Sequence, residues 1–101
     1  MQDSGSALAT ATQQVDNART RVTHYAFKPN EATGYHRHEH DYVIVPVTKG
    51  TLKIVGPDKG ETLFEMQPGQ SYFRNAGVEH DVINASPHDI AFVEVEFMGD
   101  R

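Results

Sequence analysis

Histidines are the residues of this 101-residue chain best suited to chemistry, and four of the six fall in two short stretches. Three occupy alternate positions, His36, His38 and His40, and the fourth is His80. The chain has no cysteine, so a bound metal ion would have nitrogen and oxygen ligands only. Because imidazole is a good ligand for divalent transition metals, the histidines indicate a metal site.

The spacing of the first three histidines separates ligands from neighbours. On a β-strand alternate residues share a face, so one side should receive His36, His38, His40 and Tyr42. Residues two apart lie about 6–7 Å apart at Cα, a span that two imidazoles can bridge to one ion. His36 and His40 are about twice as far apart, which predicts His36 and His38 as the ligand pair. His80, at the start of a later predicted strand, is the expected third ligand.

Each candidate also has a simpler explanation. An alternating histidine run can lie on a surface without function, and a lone His80 can be a turn or core residue. His40 and Tyr42 are candidate fourth ligands or hydrogen-bond partners of a ligand or substrate. Tyr42 can equally be a core aromatic. Asn84, four residues after His80, is a candidate for the same supporting role or a turn-stabilising asparagine.

The elements that must position these residues are strands. From residue 19 onward, runs rich in Val, Ile, Tyr, Phe and Thr alternate with breaks rich in Gly, Pro, Asn and Asp. No segment keeps apolar residues at helical spacing for three turns. The pattern predicts an all-β sandwich or barrel. Its strands are expected near 19–28, 41–48, 51–56, 61–66, 71–75, 79–84 and 89–98.

Length and charge restrict the class of protein. The length predicts one domain, with residues 1–14 as a flexible N-terminal arm and residues 15–101 as the folded domain. A net charge of -5 opposes binding to nucleic acid or to anionic lipid. No run approaches the roughly 20 apolar residues of a membrane span, and residues 1–14 do not show the pattern of a basic leader followed by an apolar run. A cytoplasmic location with no nucleic-acid or membrane partner is therefore expected.

Two predicted strands are apolar on both faces or nearly so, at 42–45 and 92–95. In so small a chain such strands need a second cover, which predicts a homodimer. In the last strand Glu94 and Glu96 alternate with valines, so one face is acidic. We expect that face to be solvated; the alternative is a carboxylate that points into the cavity as a general base.

The glycine and turn framework around both histidine groups resembles the cupin superfamily. Its first motif has a His-x-His pair, a glutamate three or four residues on and a closing glycine; the matching residues are His36, His38 and Gly50. Its second motif runs Gly, five residues, Pro-x-Gly, two residues, His, three residues, Asn; the matching residues are Gly69, Gly77, His80 and Asn84. The resemblance, over about residues 34–84, implies an all-β single-domain cupin, a jelly-roll or double-stranded β-helix barrel.

One departure from the cupin pattern affects the metal site. The family glutamate falls at Tyr42 or Val43, and neither can replace a carboxylate ligand. Glu39 and Asp41 are close in sequence, but alternation sends them to the opposite face. The expected site is therefore three neutral imidazoles, His36, His38 and His80.

Two further departures concern turns. Asn75 stands where the second motif has proline, and Asn30 where the first has its leading glycine, with Gly34 nearer the histidines. The run TGYHRHEHDYVIVPVTKGTL, with AGVEHDVIN and FVEVEF, is also similar to a group of small bacterial cupins that includes one named for β-alanine degradation. That likeness covers about residues 15–98 and implies a role beside the catabolism of a small amino or carboxylic acid.

Three neutral ligands leave a divalent ion its full charge of +2, so the site should attract a small anionic metabolite. One divalent transition metal is expected, with Fe(II) favoured and Zn, Mn, Ni or Cu compatible with the same ligands. Open coordination positions suit dioxygen, which predicts an oxygenase-like enzyme, with an isomerase or lyase as other enzyme classes. The alternatives are a non-catalytic metabolite-binding or sensor cupin, and a barrel whose histidines bind metal adventitiously.

Other side chains are expected to contact the metabolite. Arg74 and Tyr42 are the predicted substrate-binding residues, since a guanidinium can pair with a carboxylate and a phenol can donate to a bound oxygen. Arg37 is out of phase with the ligands, which predicts a surface or interface position. The sequence singles out no catalytic residue.

Overall fold

The computed structural model describes residues 7–99. This range contains no helix, and hence none long and apolar enough to cross a membrane. It forms nine strands. In chain order they are β1 Thr10–Asp16, β2 Thr20–Phe27, β3 His36–Arg37, β4 Tyr42–Pro46, β5 Gly50–Val55, β6 Glu61–Met66, β7 Tyr72–Arg74, β8 Glu79–Asn84 and β9 Ile90–Phe97. The seven predicted strands correspond to β2 and β4 to β9.

The strands form two antiparallel sheets. One has five strands in the order β1-β2-β9-β4-β7, and the other has four in the order β3-β8-β5-β6. Both sheets contribute to one apolar core, whose buried residues are Phe27, Tyr42, Ile44, Leu52, Met66, Val82, Ile90 and Phe92. The all-β barrel expected from the sequence is confirmed.

Alternating burial along β9 shows which of its residues face the barrel interior. Every second residue from Ile90 to Glu96 is buried, as the two-residue period of a strand requires. Glu94 and Glu96 share this inward face with Phe92, and each is 7% exposed. The expected solvated acidic face is therefore wrong. The inner face of β9 is covered because it points into the core to which both sheets contribute.

Strand β1 also differs from the sequence prediction. The predicted boundary between arm and domain, at residue 14, falls inside this strand. β1 pairs with β2 from Thr10 opposite Ala26 to Asp16 opposite Arg21. All seven of its residues are exposed, so no alternation of apolar side chains marks it in the sequence. Residues 1–6 of the predicted arm lie outside the described range.

Gly50, the first residue of β5, is buried beneath the beginning of β9. A Cβ at this position would overlap Ile90 Cγ2 and lie 3.1 Å from Ser86 Oγ. Gly50→Ala is therefore expected to lower the free energy of unfolding by about 1–2 kcal/mol, because overpacking outweighs the entropic advantage of alanine in a strand. Urea unfolding measures the change. Gly56→Ala is the control, since its Cβ would meet nothing closer than 3.7 Å; equal effects would contradict the overlap.

Candidate metal centre

Two neighbouring strands and one turn bring three histidines together. β3 pairs with β8 in the register that places His36 opposite His80. His38 follows the end of β3, and its N–H donates to the Val78 carbonyl at 2.8 Å. Gly77 N–H donates to the His38 carbonyl, also at 2.8 Å. Gly77 has φ of +99°, a conformation that favours glycine, so the motif glycine shapes the turn that holds His38.

The ring nitrogens of these histidines converge on one point. His38 Nε2 lies 2.9 Å from His36 Nε2 and 3.1 Å from His80 Nε2. Each ring offers a ligand atom, and these atoms all lie within 4.8 Å of one another. Ligands of one ion at about 2.1 Å per bond form a set of this size. The structure thus brings together the three residues that the sequence selected as ligands.

A hydrogen bond on the far side of His36 determines which of its nitrogens carries the proton. Nδ1 lies 2.7 Å from the Gly34 carbonyl oxygen, which can only accept. Nδ1 therefore donates, and in the neutral ring Nε2 presents a lone pair to the cluster. An outward N–H bond of this kind is what orients a metal-binding imidazole.

The surroundings of the other two rings also favour the neutral imidazole, which is the form that can bind a metal ion. Burial, followed by repulsion from His36 and His80, lowers the pKa of His38 to about 3. Burial, followed by His36 and Arg74, lowers the pKa of His80 to about 4. A proton on His38 Nε2 could serve only one of its two neighbours, whereas one cation satisfies three lone pairs. The donor set therefore fits a divalent transition metal.

The histidines line a cavity of about 250 Å³. Most of its wall is apolar or aromatic and includes Tyr25, Ile44, Leu52, Phe64, Tyr72 and Phe92. Arg74 also lines this cavity, and its guanidinium carbon lies 4.6 Å from the centre of the Tyr72 ring. Because the Arg74 side chain is exposed, it forms part of the rim.

Tyr42 lies directly against the cluster. Its ring stacks on that of His38, with centroids 3.9 Å apart and planes 18° apart. Tyr42 is 2% exposed and lines the cavity, yet its hydroxyl has no hydrogen-bond partner in the described part of the chain. A buried hydroxyl without a partner carries a desolvation cost that a ligand could recover.

Asn84 takes the turn-stabilising role rather than one at the histidine cluster. Its side-chain amide donates to the Phe27 carbonyl at 3.3 Å and to the His88 carbonyl at 2.9 Å. Its oxygen accepts from Ser86 N–H at 2.8 Å. The side chain thus holds the turn that leads into β9.

His40 and Arg37 also lie apart from the converging nitrogens. β3 ends at Arg37, so the strand alternation used in the sequence prediction does not extend to residue 40. His40 is half-buried and does not line the cavity that the three histidines share. Arg37 is exposed, in agreement with its predicted surface position.

β9 brings two carboxylates close to the cluster. A ring nitrogen of His38, an oxygen of Glu94 and an oxygen of Glu96 all lie within 4.8 Å of one another. Arg21 donates to both oxygens of Glu96, at 2.8 and 3.3 Å. Burial, followed by repulsion from Glu96, raises the pKa of Glu94 to about 7. In the sequence, the shared alternation with Ile90 and Phe92 was the signal that these glutamates face inward.

Comparison with known proteins decides the family. A family model for the cupin domain matches residues 23–96. The chain belongs to the cupin family. Its two-sheet barrel is the cupin jelly roll, as expected from the paired motifs.

This cupin is similar to proteins from several bacteria. It is 54% identical to the β-alanine degradation protein BauB of Pseudomonas aeruginosa, over 92% of this chain and 97% of that protein. A crystal structure of a cupin domain from Bordetella pertussis shares 44% identity, with a TM-score of 0.87 over 91% of this chain and 95% of the other. The polyketide cyclase RemF of Streptomyces resistomycificus shares 24% identity, with a TM-score of 0.70 over 93% and 70% of the two chains. That last likeness concerns the fold alone.

The hydroxyl of Tyr42 can be tested separately from its ring. Tyr42→Phe is expected to leave the free energy of unfolding unchanged or to raise it by up to about 1 kcal/mol, because the variant no longer buries an unpaired hydroxyl. Urea unfolding of the metal-free protein measures the change. Tyr35→Phe, at an exposed tyrosine outside the cavity, is the control. A loss of more than about 1 kcal/mol in Tyr42→Phe would mean that the hydroxyl has a partner in the folded protein.

Proposed function

We propose that this cupin is a metal-dependent, oxygenase-like enzyme that acts on a small metabolite carrying a carboxylate. The observation that carries the proposal is the convergence of His36, His38 and His80 within 4.8 Å, from two distant stretches of chain, on the wall of a cavity. A divalent metal held by these residues, with Fe(II) favoured, would supply Lewis acidity and open positions for substrate and dioxygen.

Residues around the cluster suit a small, partly charged substrate. The cavity of about 250 Å³ can hold a compact metabolite, and its largely apolar and aromatic wall suits the carbon chain of such a molecule. Arg74, on the rim, is placed to meet a carboxylate as the substrate enters. The unpartnered hydroxyl of Tyr42 can hydrogen-bond a polar group inside. These side chains bind and orient the metabolite that we propose.

The relative BauB bears on the metabolic setting. Its name connects it with β-alanine degradation, and the two proteins share 54% identity over nearly their full lengths. This supports a role for the present cupin in the catabolism of a small amino or carboxylic acid. A cytoplasmic location fits such a role, and a homodimer is part of the proposal.

Oxygen consumption tests the proposed activity. Protein purified without a polyhistidine tag would be loaded anaerobically with Fe(II) and mixed with β-diketones, thiol acids and β-alanine-derived acids. We expect oxygen uptake with at least one of them, matched by loss of that compound, and no uptake by the Zn(II)-loaded protein or by His80→Ala.

Two other outcomes would replace the proposal with an alternative. No turnover, together with a saturable rise in melting temperature on ligand addition, would favour a non-catalytic binding or sensor cupin. If neither turnover nor a ligand-induced shift in melting temperature is observed, the remaining explanation is a structural barrel whose histidines bind metal adventitiously.

A further inference from the structure

Glu94 is a buried glutamate whose carboxylate has no direct partner and is attracted by Arg21 only at a distance. It is 7% exposed, and no hydrogen bond or ion pair joins its side chain to another residue of the range 7–99. Arg21, on the adjoining strand β2, donates to both oxygens of Glu96 instead. Burying an unpaired charge costs several kcal/mol, so a fold that keeps such a carboxylate usually has a use for it.

The hydroxyl of Tyr42 is the second unpaired polar group of the same cavity. Both Glu94 and Tyr42 line it, together with the ring of Tyr25. Burial first, and then the charge of Glu94, raises the pKa of both tyrosines, which places their hydroxyls within the electrostatic range of this carboxylate. Aromatic faces also attract cations. The interior of the cavity is therefore suited to a positively charged group with several hydrogen-bond donors.

We propose that the substrate of this cavity carries a protonated primary amine, which Glu94 and the hydroxyl of Tyr42 bind. An ammonium group has three N–H donors, and the two carboxylate oxygens and the hydroxyl oxygen offer matching acceptors. The carboxylate of the substrate then lies toward the metal centre. The ligand class is a short amino acid with the amine at the end away from the carboxylate. Only the placement of the substrate carboxylate at the metal centre rests on the proposed function.

A metal ion is the rival occupant, because His38, Glu94 and Glu96 also form a set that could hold one. Both oxygens of Glu96 already accept from Arg21, so an ion at this set would have to compete with a partly buried ion pair. An ammonium bound to Glu94 leaves the ion pair between Arg21 and Glu96 in place. The observed pairing of Glu96 therefore favours the amine.

Three probes with the same carbon chain test the inference: β-alanine, 3-hydroxypropionate and propionate. Each would be titrated calorimetrically, at about pH 8, into protein loaded with redox-inert Zn(II). We expect the wild-type protein to bind β-alanine at least about tenfold more tightly than propionate. In Glu94→Gln this ratio should fall below about twofold. Glu61→Gln, an exposed glutamate on β6, is the matched control and should keep the wild-type ratio.

Several results would overturn the inference: equal binding of β-alanine and propionate, a preference for 3-hydroxypropionate, a preference for β-alanine that survives in Glu94→Gln, or no binding of any probe by the wild-type protein. If Glu94→Gln does not fold, Tyr42→Phe serves instead and should lower the ratio about threefold. Repeating the titration after EDTA treatment separates the two proposals. The preference for β-alanine should persist without zinc. Stoichiometric binding of zinc by His80→Ala would refute the proposed metal site but not the proposed amine site.

Discussion

His80→Ala is expected to lower the affinity of the protein for a divalent transition metal by at least about tenfold, or about 1.4 kcal/mol. The substitution removes one of three converging nitrogens, and His80 is the only one of them supplied by β8. The two remaining imidazoles, from one short stretch, would hold the ion less tightly. Competition with a chromophoric chelator measures the affinity, and elemental analysis of untagged protein gives the stoichiometry.

His40→Ala is the matched control for this experiment. His40 belongs to the same alternating run as His36 and His38, but it does not line the cavity that the three histidines share. Its removal should therefore change metal affinity by less than about twofold. Equal losses in His40→Ala and His80→Ala would mean that the ion is bound by a different set of rings from the one that converges in the structure.

The His-x-His pair shows how far strand alternation could predict the site. It correctly put the rings of His36 and His38 side by side, and the second motif added His80. Strand alternation does not apply at His40, because β3 is only two residues long and ends at Arg37. Where the chain leaves the strand, hydrogen bonds to the turn at residues 77–78 orient the backbone, and no local pattern reports such bonds.

Departures from the cupin motifs are informative once the backbone is known. Asn30, which replaces the leading glycine, has φ of +70°, a left-handed conformation that asparagine tolerates better than most residues. Asparagine therefore supplies here a backbone conformation that most often calls for glycine. This could not be read from the sequence, where Asn30 stood out only as a mismatch.

The first cupin motif lacks its glutamate in this chain, but another strand brings carboxylates to the same region. The motif position falls at Tyr42 or Val43 on β4, and β9 runs antiparallel beside that strand, with Glu96 opposite Tyr42 and Glu94 opposite Ile44. Carboxylates thus reach the neighbourhood of His38 from another strand, about fifty residues along the chain. Local alternation could show that the two glutamates share a face, but only the pairing of β9 with β4 shows that this face lies beside the histidines.

Glu94→Gln is expected to change how the stability of the metal-free protein depends on pH. The pKa of Glu94 is raised from 4.5 to about 7, so between these values the folded protein holds a proton that the unfolded chain has released. The stability that this proton provides is complete below about pH 4.5 and is lost as the pH rises through about 7. Glutamine cannot ionise, so the stability of the variant relative to wild type should increase by about 2–3 kcal/mol between about pH 5 and 8.

The buried histidines act in the opposite direction, so the wild-type curve alone cannot isolate Glu94. His38 and His80 have pKa values lowered from 6.5, and the unfolded chain takes up their protons first as the pH falls. Their contribution to stability is therefore lost on acidification. Urea unfolding in EDTA at several pH values, for wild type, Glu94→Gln and the exposed control Glu61→Gln, separates the two effects by subtraction. A difference between Glu94→Gln and wild type that does not vary with pH would mean that Glu94 ionises as freely in the folded state as in the unfolded chain, and the unpaired carboxylate would then need no cationic partner.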